Sequence, residues 1–190
     1  WNAAMPELMF RPFTTLPQPS QTVVCGCGGG QAVAALLPAL LNHDAPLVLD
    51  ADALNALASQ PALQEQLRQR SAPTVLTPHP LEAARLLGCS TAQVQADRLG
   101  AARTLAGRVK GVVLLKGSGS VIASPGAPLL INPSGNARLA SAGTGDVLAG
   151  FVAALLAQGL DARSAAWQAA WRHGDLADHW PSDQALTALA

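Results

Sequence analysis

A glycine-rich turn with a single acid, in the stretch SAGTGDVLAGFVAALLAQ (141–158), holds the residues best suited to chemistry. Unpaired backbone N–H groups at the start of a helix attract anions, and the sequence predicts such an anion hole at Gly143, Thr144 and Gly145. Asp146 stands beside it. This pairing suits phosphoryl transfer, because a carboxylate accepts the proton of the attacking hydroxyl while amides stabilise the phosphoryl oxygens. The alternative is a tight turn with Asp146 as a helix cap.

A second candidate is Lys116, which ends an apolar run in the stretch LKGSGS (115–120). Small residues after the lysine let the backbone approach a nucleotide phosphate closely. The spacing is not that of a P-loop, and a β-turn with an exposed lysine explains the same residues.

His79 and Glu82 form a third candidate, in the stretch TPHPLEAARLLG. Prolines on both sides restrict the backbone at His79. Glu82 falls in the first turn of a helix, where it is a candidate ligand for Mg²⁺ carried by nucleotide phosphates. Ordinary helix capping is the alternative for Glu82.

Other polar residues are weaker candidates. Asp50 and Asp52 follow an apolar run and offer oxygen to a hydrated metal or to ligand hydroxyls, with helix capping as the alternative for Asp52. His173 and His179 lie six residues apart on a late helix, which is too far for shared helical ligation, so we expect both on the surface.

Alternating short strands and helices must position these residues. Apolar runs predict strands at 22–26, 46–50, 73–77 and 111–117, with helices at 31–41, 52–58 and 80–88. A capping-box signal at Ser90 and Gln93 predicts one long helix to about Val109, weakened by Gly100. A hairpin or edge addition is predicted for 121–132, and an extended lead-in for the proline-rich residues 1–21. The pattern predicts an α/β fold in three layers, a mostly parallel sheet with helices on both faces and ligands at the carboxyl ends of its strands.

Composition narrows the function. The 190 residues, 49% of them apolar, suffice for one core, so we expect a single domain over 1–190. Twelve basic and twelve acidic side chains cancel, which favours a small-molecule partner over nucleic acid or an anionic membrane. Three cysteines without a zinc-type cluster indicate reduced thiols and a cytoplasmic location. No apolar run is long enough to span a membrane, and no leader peptide is expected at the start of the chain. We also expect the protein to form a homo-oligomer.

Four motifs in order resemble those of the ADP/ATP-dependent NAD(P)H-hydrate dehydratases: VLDADALNAL, TPHPLEAARLLG, VVLLKGSGSVIAS and INPSGNARLASAGTGDVLAGFVAALLAQGL. The resemblance implies a ribokinase-like fold. It also implies that ADP or ATP, with Mg²⁺, phosphorylates the added hydroxyl of hydrated NADH or NADPH, after which phosphate departs and the ring double bond returns. By motif position it implies Asp146 as the base and a substrate contact, with Gly28 and His79 also binding substrate. The implied nucleotide-binding residues are Lys116, Gly117, Ser118, Gly119, Ser120 and Gly145.

The chain departs from the family pattern in two places. Gly26-Cys27-Gly28-Gly29-Gly30 stands where family members commonly show Gly-Pro-Gly-Leu-Gly, and the retained glycines predict that the turn is kept. The family's N-terminal strands have no counterpart before Trp1, so we expect a domain short of its N-terminal units, preceded in the same polypeptide by an epimerase domain. The alternatives are a vitamin or sugar kinase of the same fold, or a nucleotide-binding module without catalysis.

Overall fold

A mixed sheet runs through the middle of the part of the chain that the computed structural model describes, residues 21–188. Its six strands follow one another in chain order, and β1 to β4 are parallel while β5 and β6 are antiparallel additions. The strands are β1 Val23–Cys25, β2 Leu47–Leu49, β3 Thr74–Leu76, β4 Val112–Leu115, β5 Val121–Ala123 and β6 Leu130–Ile131. The predicted strands and the predicted hairpin are confirmed. The lead-in predicted for residues 1–21 falls, except for its last residue, outside the described range.

Helices cover both faces of this sheet. They are α1 Ala32–Leu41, α2 Ala51–Ser59, α3 Pro61–Gln69, α4 Pro80–Leu87, α5 Thr91–Ala96, α6 Arg98–Val109, α7 Thr144–Ala157 and α8 Ala162–Asp178, with a 3-10 turn at Ala137–Leu139. Neighbouring parallel strands joined by right-handed crossovers keep their helices on one face, so α1 to α6 share a layer. The helices α7 and α8 follow the hairpin and cover the other face, which confirms the three-layer architecture.

The predicted long helix after Ser90 is wrong, because Asp97 divides it into α5 and α6. The backbone of Asp97 leaves the helical region at φ −140° and ψ 76°, and its carboxylate accepts a hydrogen bond from the N–H of Gly100 at 2.8 Å. Asp97 therefore caps a new helix. Gly100, where a weak point was expected, lies within α6, and the break falls three residues earlier.

Two apolar clusters fill the spaces between the layers. Strand residues alternate between them, since successive side chains of a strand point to opposite faces: Val48 packs beneath α7 and α8, while Leu49 packs on the opposite side. Within the described residues, no helix is both long and apolar enough to cross a bilayer.

Candidate active site

A cavity of about 640 Å³ opens where β3 and β4 end, as expected for a sheet of this kind. Its walls bring together the predicted nucleotide-binding residues Lys116 to Ser120 and Gly145, with His79 and Thr144. The sequence did not assign several polar residues that also line it, namely Asn132, Ser134, Asn136 and His173. The volume and the mixed polar lining suit a small-molecule ligand.

Lys116 is held at the base of this cavity by an ion pair with Asp50. Its Nζ lies 2.8 Å from Oδ1 of Asp50, which is 1% exposed and also accepts a hydrogen bond from the N–H of Ala51. A buried carboxylate needs such a partner, because an unpaired charge is costly to bury. Asp50 is therefore paired with a lysine, and its role as a ligand of a metal or of hydroxyl groups stays a prediction.

Gly145 brings the start of α7 close to the same ammonium group. A Cβ atom built on Gly145 would lie 3.3 Å from Nζ of Lys116. Glycine at this position therefore allows a helix N-terminus and a cation to meet at one point of the cavity wall. Both features attract negative charge.

Arg98 of α6 holds the loop that follows β4. Its guanidinium donates hydrogen bonds to the carbonyls of Leu115 and Lys116, both at 3.3 Å, and to the carbonyl of Ser118. Gly117, with φ +144°, leaves room for it, since a Cβ there would lie 2.8 Å from a guanidinium nitrogen. The local sequence gives no sign of this role for Arg98, because its partners lie 17 to 20 residues away.

His79 and Glu82 form a capping box at the start of α4. Nδ1 of His79 accepts hydrogen bonds from the N–H groups of Leu81 and Glu82, and the Glu82 carboxylate accepts one from the His79 N–H at 2.8 Å. Because Nδ1 is an acceptor, the proton of the neutral ring is on Nε2. His79 lines the cavity as expected of a binding residue, whereas Glu82 is buried and does not line it. The structure thus gives Glu82 the capping role and no support for the predicted metal role.

The predicted anion hole lies at the start of α7. The N–H groups of Gly143 and Gly145 have no hydrogen-bond partner among the described residues, while that of Thr144 reaches the Ser141 carbonyl at 3.4 Å. The Thr144 hydroxyl ties the turn together by donating to the carbonyls of Leu139 and Ser141. Gly143, at φ +84°, begins the helix in a left-handed conformation. Two of the three predicted donors are therefore free to bind an anion.

Asp146 directly follows Gly145 of the cavity wall, and it is exposed to solvent. One carboxylate oxygen, one oxygen of Asp50 and Sγ of Cys27 all lie within 4.8 Å of one another. Neither Asp146 nor Gly28 lines the cavity, but Gly28 follows Cys27 directly in the turn after β1. Asp146 consequently lies next to the cavity wall through Gly145 and next to the glycine turn through Cys27.

Comparison with known proteins identifies the family. The sequence model described as NAD(P)H-hydrate dehydratase matches residues 1–190. The chain belongs to the NAD(P)H-hydrate dehydratase family. The ADP-dependent (S)-NAD(P)H-hydrate dehydratase of Neisseria meningitidis is 44% identical over 182 residues, which cover 93% of this chain and 61% of that protein. The bifunctional NAD(P)H-hydrate repair enzyme of Escherichia coli is 43% identical over 182 residues, or 92% of this chain and 34% of the relative.

Solved structures agree with this assignment. The ADP/ATP-dependent NAD(P)H-hydrate dehydratase of Bacillus subtilis, crystallised with ATP and Mg²⁺, superposes with a TM-score of 0.75 at 32% identity, covering 88% of this chain and 60% of that one. A ribokinase-like protein of Enterococcus faecalis matches with a TM-score of 0.67 at 24% identity over 84% of this chain and 56% of its own. The expected ribokinase-like fold is confirmed. The chain spans less than two thirds of the length of these relatives.

Proposed function

We propose that the protein restores NADH or NADPH from its hydrated form, using ADP or ATP as phosphoryl donor. The observation that carries this proposal is the position of Asp146, between the cavity with Lys116 and the turn with Gly28. A base in that position reaches a substrate hydroxyl on one side and a nucleotide phosphate on the other. The family and the names of its members supply the substrate and the donor.

The nucleotide is assigned to the cavity. The ammonium of Lys116 and the free N–H of Gly145 suit phosphate oxygens, and the backbone of 117–120 can approach the nucleotide because its residues are small. Hydrogen bonds from such groups become stronger as charge builds up on the transferring phosphoryl group. These residues therefore bind the donor and also stabilise the transition state.

We assign no magnesium ion to the described carboxylates themselves. Mg²⁺ prefers several oxygen ligands and keeps part of its water shell. Glu82 is committed to the helix cap and Asp50 to Lys116, while Cys27 offers sulfur rather than oxygen. We therefore assign Mg²⁺ to the nucleotide phosphates, as an ion that enters with the donor, and no step to a protein-bound metal.

The reaction then proceeds in two stages. Asp146 accepts the proton of the added hydroxyl group. At the same time the oxygen of that hydroxyl bonds to the terminal phosphorus, and the bond from this phosphorus to the rest of the nucleotide breaks. The carbon–oxygen bond then breaks, and phosphate leaves with the electron pair of that bond while the electrons of the ring nitrogen assist its departure. A proton then leaves the neighbouring ring carbon, which restores the double bond. Phosphorylation is needed because hydroxide is a poor leaving group. His79 lies at the cavity wall, where its ring can contact the bound substrate, and its Nε2 lies 3.3 Å from Oε1 of Glu82.

The decisive variant is Asp146→Asn in the full-length protein. With hydrated NADH and ADP or ATP, we expect turnover to fall by about 10²- to 10⁴-fold, because the asparagine amide cannot accept the proton. Recovery of dihydropyridine absorbance measures turnover, and calorimetry should find nucleotide binding nearly unchanged. Asp183→Asn, at an exposed acid, is the matched control. Normal turnover in Asp146→Asn would remove this residue from the mechanism, and no recovery with either nucleotide in the wild type would overturn the proposed function.

Product analysis separates the dehydratase from a vitamin or sugar kinase of the same fold. The dehydratase releases inorganic phosphate together with NADH or NADPH, whereas a kinase accumulates a stable phosphoester. Calorimetry that finds nucleotide binding without turnover would favour a binding module. The single domain over 1–190, an epimerase domain in the same polypeptide, a cytoplasmic location and a homo-oligomer stay predictions.

A further inference from the structure

The turn after β1 is fixed in place by the segment that follows β2. Gly26 has φ +118°, and a Cβ atom on it would lie 1.8 Å from the Asp50 carbonyl oxygen, so only glycine fits. The Gly26 carbonyl accepts a hydrogen bond from the N–H of Asp52 at 3.2 Å, and the N–H of Gly30 donates to the Asp52 carboxylate at 2.7 Å. Cys27 is therefore held between two anchored ends of the turn.

The thiol of Cys27 faces two carboxylates that differ in their hydrogen bonding. Asp50 already accepts from Lys116 and from the backbone, whereas Asp146 receives no N–H or O–H donor from the described residues. Sγ of Cys27 lies within 4.8 Å of a carboxylate oxygen of Asp146. The thiol therefore stands beside a carboxylate that no N–H or O–H group of the described residues holds.

The surroundings of Cys27 keep its proton in place. Burial raises the pKa of this thiol to about 12, helped by the charges of Asp146 and Asp50 and only partly opposed by Lys116. At neutral pH the group is therefore an S–H donor and not a thiolate. A thiol is a weak donor, but a charged acceptor strengthens the bond.

We propose that Cys27 is a positioning residue, whose thiol orients the Asp146 carboxylate between the nucleotide cavity and the glycine turn. This inference rests on the proposed function, since it concerns the base of that reaction.

The first test measures the contact itself and needs no turnover. In a full-length Cys89→Ser background, which removes the exposed thiol, iodoacetamide is added and alkylation of Cys27 is followed by peptide mass spectrometry. Asp146→Asn removes a negative charge and a charged acceptor, so we expect alkylation of Cys27 at fixed pH to speed up by about tenfold or more. Asp183→Asn should leave the rate unchanged. An unchanged rate in Asp146→Asn would overturn the proposed contact.

The second test measures the consequence for catalysis. Cys27→Ala removes the donor, and we expect kcat to fall by roughly tenfold while KM for the nucleotide stays nearly constant, because the base is misplaced and the cavity is not. Cys27→Ser keeps a donor and should recover most of the lost kcat. Equal losses in the two variants, or wild-type kcat in Cys27→Ala, would contradict positioning by the thiol. If the wild type does not turn over, the proposed function is overturned. The alkylation rates would still show whether Cys27 contacts Asp146.

Discussion

At the scale of single residues, His173 of α8 and His179, which directly follows α8, have pKa values shifted in opposite directions. Burial lowers the pKa of His173, whose ring packs edge-on against Phe151 with centroids 6.2 Å apart. The backbone of Asp175 and then its charge raise the pKa of His179, which is exposed as the sequence predicted. The surface position predicted for His173 is wrong, because a histidine in a mostly small and polar helix gives no sign of the cavity above it. Only the packing of α7 on α8 reveals that His173 lines this cavity.

His173 should make the protein less stable in mild acid. Its pKa in the folded state lies below the ordinary value of 6.5, so the unfolded chain binds a proton more readily. The stability associated with neutral His173 is complete above about pH 6.5 and is lost as pH falls through 6.5 toward the folded-state pKa. Urea unfolding of His173→Gln should therefore lose less stability between about pH 7 and 5 than the wild type.

His179, at the end of the same helix, offers a control because its pKa is shifted in the opposite direction. The raised pKa of His179 stabilises the fold below about pH 6.5, and this contribution disappears as pH rises through the folded-state pKa. His179→Gln should therefore lose slightly more stability on acidification than the wild type, by a small amount because the ring is exposed to solvent. Identical pH slopes for His173→Gln and the wild type would show that burial of the His173 ring has no thermodynamic effect.

At the scale of elements, much of the fold was readable from local pattern. Apolar runs located the strands, and the Ser90 capping box located the start of α5. The helix α3 was overlooked, although Pro61 at its first position and the buried pair Leu63 and Leu67 are helix signals. The break at Asp97 is harder to read, since a capping aspartate and an ordinary helical one look alike in sequence. This break matters because it places Arg98 at the start of α6, facing the loop that follows β4.

Arg98→Lys should weaken nucleotide binding. Lysine keeps the charge but cannot hold three carbonyls with one planar group, so the loop after β4 loses its support. We expect the dissociation constant for ADP or ATP, measured by calorimetry, to rise by about tenfold, equivalent to ~1.4 kcal/mol of binding free energy. Arg103→Lys, at an exposed position on the same helix, is the control and should bind normally. Wild-type affinity in Arg98→Lys would show that the loop keeps its shape without the guanidinium.

At the scale of the whole molecule, the sheet brings together residues that lie far apart in the chain. Alternation of strands and helices predicted the layers and the edge where ligands bind, because crossover handedness and strand polarity are general rules. It did not predict which side chains meet there. Asp50 and Lys116 are 66 residues apart, and Cys27 meets Asp146 only because β1 ends and α7 begins at the same edge. Contacts between such distant residues depend on the register of the strands and on the direction of each side chain, which a single sequence does not specify.

The sheet also separates two cores, and this separation predicts how mutations combine. Leu57 of α2 belongs to the cluster under α1 to α6, whereas Leu155 of α7 belongs to the cluster on the other face. Each leucine-to-alanine change should cost about 2–5 kcal/mol of unfolding free energy, because each removes a buried side chain and leaves a cavity. The double variant should equal the sum of the single variants within about 0.5 kcal/mol, since the two sites share no partners.

A pair within one cluster provides the contrast. Leu37 of α1 and Leu57 are both fully buried in the same cluster, so relaxation around one cavity alters the cost of the other. Urea unfolding of Leu37→Ala, Leu57→Ala and their combination should give a coupling of about 0.5 kcal/mol or more. Strong coupling between Leu57 and Leu155, with none between Leu37 and Leu57, would mean that the sheet does not divide the interior energetically. Additivity across the sheet and coupling within one face would instead show that each helical layer stabilises the protein through its own core.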